Sequence, residues 1–213
     1  MNNTVFAGWE GLESIKKGNK ASFLSLKAGE SAVVRFVDQA PVGSWQHWIP
    51  SVKRSVICQG ADCPICAYLK GLSKDEKKNA KANNTRKFAM QLIDRTDNTL
   101  KIFENGITAF TQLKELMAEM GDLRNFDIKI KRTSDGYIFF PQAPKPLTEE
   151  DGKLYEQKQP LDEYYENKRN SISREQAQML LDGVSPEIVF AAKKEEGTPE
   201  DAGIVFDETS SIL

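Results

Sequence analysis

The chain has 213 residues, 39% hydrophobic and 28% charged, with a formal net charge of −2; this is apolar material for one domain with appendages or two small ones, and no stretch reaches the roughly 18 apolar residues of a membrane span. The start, Met1-Asn2-Asn3-Thr4, has neither a basic residue nor an apolar run, so a secretory signal is not expected and a cytoplasmic, non-secreted location is. The near-neutral total hides an asymmetry: residues 1–146 hold 22 Lys and Arg against 15 Asp and Glu, and residues 147–213 hold 7 against 16, a basic body with an acidic tail that suits a nucleic-acid binder.

In chain order, residues 9–17 read as a short helix in an N-terminal arm, 1–20. From Phe23 to Val37 the pattern is that of strands, with a turn at Ala28-Gly29. Trp45–Ile49 is a further strand, Ala67–Leu72 a short helix, and Ser73 with Glu76 has capping-box spacing for another helix ending near Asn83-Asn84. Lys87–Ile93 and Thr99–Phe103 alternate as a hairpin about Asp94–Asn98. Residues 107–120 have helical period, with Phe110, Leu113, Met117 and Met120 on a core stripe and Gly121 as the stop. Asp127–Arg132 and Tyr137–Phe140 form a second hairpin about Ser134-Asp135-Gly136, with Ile128, Ile130, Ile138 and Phe140 inward and Tyr137 and Phe139 outward. Pro141, Pro144 and Pro146 mark a boundary, since three prolines in six residues do not continue a central strand. Helices follow near 173–182, opened by a Ser173–Gln176 capping box, and near 186–194. Residues 195–213 are polar and end near the apolar Gly203–Phe206. No internal repeat is present.

The expected fold is mainly β with added helices (α+β): an OB-type five-stranded Greek-key barrel over residues 21–146, a metal-binding subdomain at about 44–72, and a partly helical acidic region over 147–213.

All three cysteines and the single histidine lie within one short segment as His47, Cys58, Cys63 and Cys66, spaced H-x10-C-x4-C-x2-C. Zn²⁺ takes four tetrahedral soft or borderline ligands, and Cys₃His is a standard closed, structural set. Cys63-Pro64-Ile65-Cys66 suits a tight knuckle, with Cys58 and His47 as the other arm. A redox dithiol and unrelated buried thiols are the competing readings, but the strand and helix alternation expected around a redox C-x-x-C is missing. One structural Zn²⁺ is the expected cofactor. A lone histidine also excludes multi-histidine metal centres and two-histidine hydrolases.

The outward strand positions Lys87, Lys101, Lys129 and Lys131 interleave with Phe103, Tyr137 and Phe139. Trp45, Trp48, Lys53 and Arg54 repeat the mixture beside the metal segment, and Arg35 adds a cation on the first strand. Cations for phosphates and flat rings for unstacked bases are what single-strand binding needs. The competing reading is that another layer of core covers these rings.

Three stretches, Trp45-Gln46-His47-Trp48, Lys53-Arg54-Ser55-Val56-Ile57-Cys58 and Cys63-Pro64-Ile65-Cys66, together resemble the zinc-containing single-stranded DNA-binding proteins of tailed bacteriophages, the helix-destabilising type of T-even phage replication. The specific match covers about residues 44–70. The resemblance implies an OB-fold with a zinc subdomain, a cleft for the strand between them, and His47, Cys58, Cys63 and Cys66 as zinc ligands. It further implies a C-terminal region that recruits replication or recombination proteins, self-association along DNA, and residence in an infected bacterial cell. Family members often begin with a basic segment; here the first basic residue is Lys16. The expected function is therefore sequence-independent coating of single-stranded DNA in replication, recombination and repair, without catalysis. A zinc-ribbon adaptor, a nuclease and a thiol redox protein are the alternatives. No Walker-type glycine loop or paired carboxylate set supports an enzyme.

Overall fold

In the computed structural model, which describes residues 22–191, the β-branched and aromatic runs form seven strands. These are β1 (Ser31–Phe36), β2 (Val42–Ile49), β3 (Arg54–Ile57), β4 (Asn83–Asp94), β5 (Thr99–Asn105), β6 (Phe126–Arg132) and β7 (Tyr137–Pro144). Six α-helices and three short 3-10 turns complete the described chain, the α-helices being α1 (Pro64–Gly71), α2 (Ile107–Met120), α3 (Glu149–Glu156), α4 (Leu161–Asn170), α5 (Arg174–Leu181) and α6 (Pro186–Ala191). The expected helix over 9–17 and the segment 195–213 lie outside the described residues.

The architecture is α+β with one antiparallel sheet, ordered β3-β2-β4-β1-β6-β7, and β5 beside β4. Long β4 organises it. Its residues 83–89 pair with β2, its last three pair with β1, and β5 runs along the opposite edge from Phe88 to Asp94. The sheet stays open, which corrects the expected closed five-stranded barrel. The metal-segment hairpin β2–β3 joins the same sheet, and the outer edge of β5 is already taken. Ser22 O accepts from Ile102 N at 2.7 Å and Leu24 N donates to Ile102 O at 2.9 Å. Only side chains then reach from β5 to β7: Phe103 lies edge-on to Tyr137 and Phe139, with centroids 5.3 and 6.1 Å away.

The apolar residues form three clusters. The main core covers one face with Val34, Phe36, Leu92, Phe103, Phe126, Ile128 and Ile130, capped by Phe110 and Leu113 of α2. Ile57, Ala89 and Ile102 on the other face are covered by Leu161 and Tyr165 of α4. A third cluster joins the metal segment to α5 and α6. The sheet is thus covered on both faces near β4 and β5, and the simple inside–outside alternation fails there. Phe103 is opposite Met90 in the register and is 1% exposed, so it is core and not an outward ring.

Strand β7 reverses the expected faces. Phe139 is paired with Ile130, and directly paired residues share a face, so Tyr137 and Phe139 pack inward while Ile138 and Phe140 are exposed. Pro141 and Pro144 continue this strand instead of ending it, because β7 is an edge strand whose outer N–H positions need no partner. On α2, Phe110 and Leu113 are buried but Met117 and Met120 are exposed; the final turn overhangs the core. The Ser73–Glu76 box forms, yet only a 3-10 turn over Glu76–Asn79 follows it. Helices α3 and α4 go beyond the sequence expectation; Thr148 and Asp151 make a reciprocal capping box at the start of α3.

Ionic contacts fasten this C-terminal layer to the sheet. Asp127 accepts from Arg35 at 2.6 Å and from Arg95 at 3.0 Å, and Arg95 also pairs with Asp151. No helix among the described residues is long and apolar enough to cross a membrane.

Candidate functional site

Three local features converge His47, Cys58, Cys63 and Cys66. His47 is carried on β2, and Cys58 follows the last residue of β3. Cys63 is the N-cap of α1, where Pro64 occupies the first turn with a backbone angle suited to it, and Cys66 stands one helical turn on. His47 Nε2 is 3.3 Å from Cys63 Sγ and 3.5 Å from Cys66 Sγ, and Cys58 Sγ is 3.5 Å from Cys66 Sγ. All four ligand atoms lie within 4.8 Å of one another. A tetrahedral zinc-sized ion would space N and S by about 3.6 Å and two S by about 3.8 Å, so a small expansion makes room for it. The residues form a group that can hold a metal ion.

A second contact orients the imidazole. His47 Nδ1 donates to Asn84 Oδ1 at 2.8 Å, which leaves Nε2 as the ring atom that faces the thiols and would bind a metal ion; this outer hydrogen bond is the usual partner of a metal-binding histidine. The thiols constrain one another. Burial would raise Cys63, but contacts with His47 and with the backbone at Gln59 and Cys66 bring it to about 6. Burial, the hydrogen bond with Cys58 and the charge on Cys63 push Cys66 up to about 12. One thiolate therefore forces its neighbour to keep a proton, a conflict that a divalent cation removes.

The group is embedded in apolar packing. Ile49, Val56, Ile65 and Leu69 meet Ala177, Leu180, Leu181 and Val189 of α5 and α6. Gln59 Nε2 donates to Ile172 O at 2.6 Å, and Arg174 pairs with Asp62 at 2.8 Å. The C-terminal helices are thus a wall of the metal segment.

The expected nucleic-acid contacts are not gathered on one surface. Following paired residues through the sheet, Trp45 shares the main-core face with Tyr137 and Phe139. Trp48, Lys87, Lys129 and Lys131 are on the other face. Trp45 is 54% exposed, whereas Tyr137 and Phe139 are half-buried against Phe103. Phe103 and Arg35 are buried; the Arg35 guanidinium is held by Asp127 and donates to the carbonyls of Arg124 and Lys145, so neither can touch a strand. Lys101 is held by Asp94 at 2.8 Å and Asp97 at 2.7 Å. Lys53 is exposed, and the Arg54 guanidinium lies 4.4 Å above the Phe190 ring, against α6.

Three residues on Trp45's face escaped the sequence reading. Arg86 is Trp45's direct partner in the β2–β4 register, its guanidinium 4.4 Å from the indole centroid. Phe88 is next along β4, opposite Gly43, where a Cβ would come within 3.2 Å of the Phe88 ring. Arg132 covers Tyr137 at 4.6 Å. The signal for Arg86 is its two-residue spacing from Phe88, which puts both on one face of β4 once the strand starts at Asn83 and not at Lys87. No protein-family model matches the chain, and no curated protein sequence matches it.

Proposed function

We propose that the protein is a zinc-containing single-stranded DNA-binding protein that acts by coating the strand, without catalysis. The observation that carries this reading is the exposed Trp45–Arg86 pair, two residues along β2 from the metal-ligand candidate His47. An exposed indole offers a face to any unstacked base, and a neighbouring guanidinium offers charge to the phosphate, which gives affinity without sequence preference. Duplex DNA keeps its base faces stacked, so such a surface favours the single strand.

One structural Zn²⁺ held by His47, Cys58, Cys63 and Cys66 agrees with the soft donor set and its spacing. Four protein ligands leave no open position for a substrate, which supports binding over turnover. The order β1, β4, β5, α2, β6, β7, with a helix between the two last hairpins, supports reading the body as an OB-type barrel opened between β5 and β7. The hairpin β2–β3 is then an insertion after its first strand. In this reading the acidic C-terminal region recruits replication or recombination proteins, copies associate along DNA, and the setting is a phage-infected bacterial cell.

The test is a gel-shift competition between oligo(dT) and duplex, with Mg²⁺ present and the DNA length checked afterwards. Preferential retention of intact oligo(dT) is expected. Cleaved DNA would identify a nuclease, and no shift with either DNA would favour a protein-binding adaptor.

A further inference from the structure

The cross-strand contact at Trp45 has a second implication, which rests on the single-strand reading above. We propose that Arg86 is a place-holder: in the free protein its guanidinium covers the indole face that a base later takes, and on binding it moves to the backbone phosphate of the same nucleotide.

The geometry supplies both halves. The Arg86 guanidinium lies 4.4 Å from the Trp45 ring centroid, within the range of a cation–π contact. Both side chains are exposed, Trp45 at 54%. They are direct partners on adjacent strands, so the contact needs no folding beyond the β2–β4 pair. Among the described residues Arg86 has no carboxylate partner within ion-pair distance. Among the described residues the ring face is therefore its one charge-stabilising contact, and the guanidinium is otherwise solvated. A phosphate is a stronger partner than a ring face, and a base is a larger stacking surface than a guanidinium. The exchange leaves both groups better satisfied once a nucleotide arrives. The contact covers one face of the indole and leaves the ring 54% exposed.

The test uses the metal-loaded full chain with Trp9 and Trp48 replaced by Phe, so that emission reports Trp45 alone, and compares Arg86, Arg86→Ala and Arg86→Gln during oligo(dT) titration across a salt series. Matching circular dichroism and metal content establish that the variants fold. The free-state emission of the variants should differ from that of the Arg86 protein, because the guanidinium no longer covers the ring. The bound-state emissions should coincide, because a base occupies the ring in every case. The slope of log affinity against log salt should be shallower by about 0.7 in the variants, one phosphate contact fewer. The advantage of Arg86 should therefore shrink about fivefold for each tenfold rise in salt and reverse at the high end, where the variants no longer have to clear the ring. Bound spectra that differ would mean that Arg86 stays on the indole, and equal slopes would mean that it never reaches a phosphate; either overturns the proposal while leaving single-strand binding intact. Failure of the Arg86 protein itself to bind oligo(dT) overturns both this proposal and the functional reading beneath it.

Discussion

His47 Nδ1 donates to Asn84 Oδ1 at 2.8 Å, and the two residues are also direct partners in the β2–β4 register. The metal group is thereby tied to the strand pair that carries Trp45 and Arg86. Removing the outer hydrogen bond frees the ring to tilt and to change tautomer. Asn84→Ala should weaken metal binding about 10–100-fold, measured by competition with a chromogenic chelator. Unchanged affinity would mean that the imidazole is oriented by packing alone.

Metal removal should loosen the C-terminal helices. The cluster around Cys63 includes Ala177, Leu180 and Leu181 of α5 and Val189 of α6, and ligand binding and local folding are coupled in such sites. After chelation, amide exchange should accelerate over residues 47–72 and 174–191 while β1 and β6 remain protected. Protection of 174–191 that is indifferent to chelation would contradict this coupling.

Acid should release α3 in a defined window. Asp151 is buried, which alone would raise its pKa, but hydrogen bonds from Arg95 and Thr148 outweigh that and hold the carboxyl at about 2. A depressed folded-state pKa contributes stability that is present above the unfolded value of roughly 4 and is lost as pH falls through the folded value. Asp151→Asn should cost about 2 kcal/mol at pH 7, and the difference should vanish as pH falls from about 4 to about 2, read from urea unfolding at each pH. A difference independent of pH would place the effect in packing.

Rings on one strand face should separate by role. Trp45→Ala should weaken oligo(dT) binding by about 1–3 kcal/mol with little change in stability. Phe103→Ala, at a site 1% exposed, should destabilise the fold by about 3–5 kcal/mol. Thermal unfolding and titration of both variants check this, and a stability loss at Trp45 equal to that at Phe103 would assign Trp45 to the core.

The metal group was legible because ligand chemistry depends on residue type and spacing, and all four candidate donors lie between His47 and Cys66. The two hairpins about Asp94–Asn98 and Ser134–Gly136 were legible from turn chemistry and alternation. The faces were not. Tyr137-Ile138-Phe139-Phe140 is apolar at every position, so alternation cannot say which side is inward; the pairing of Phe139 with Ile130 decides it. Alternation with Ile102 points Phe103 outward, yet both are buried, on opposite sides of the sheet, because α4 adds a layer that the charged run Asp162–Arg169 concealed. The open edge was equally hidden, since it depends on residues 22–24 meeting Ile102, a long-range contact with no local signature.

Single-stranded bases are expected to stack on the exposed Trp45 beside His47. This stacking is tested most directly by titrating the metal-loaded protein, with Trp9 and Trp48 replaced by Phe, with oligo(dT) and with a duplex of equal length. Saturable quenching of Trp45 by oligo(dT), weakened steeply by salt, is expected, with much weaker quenching by duplex. Equal responses to the two DNAs, or none to either, would contradict it.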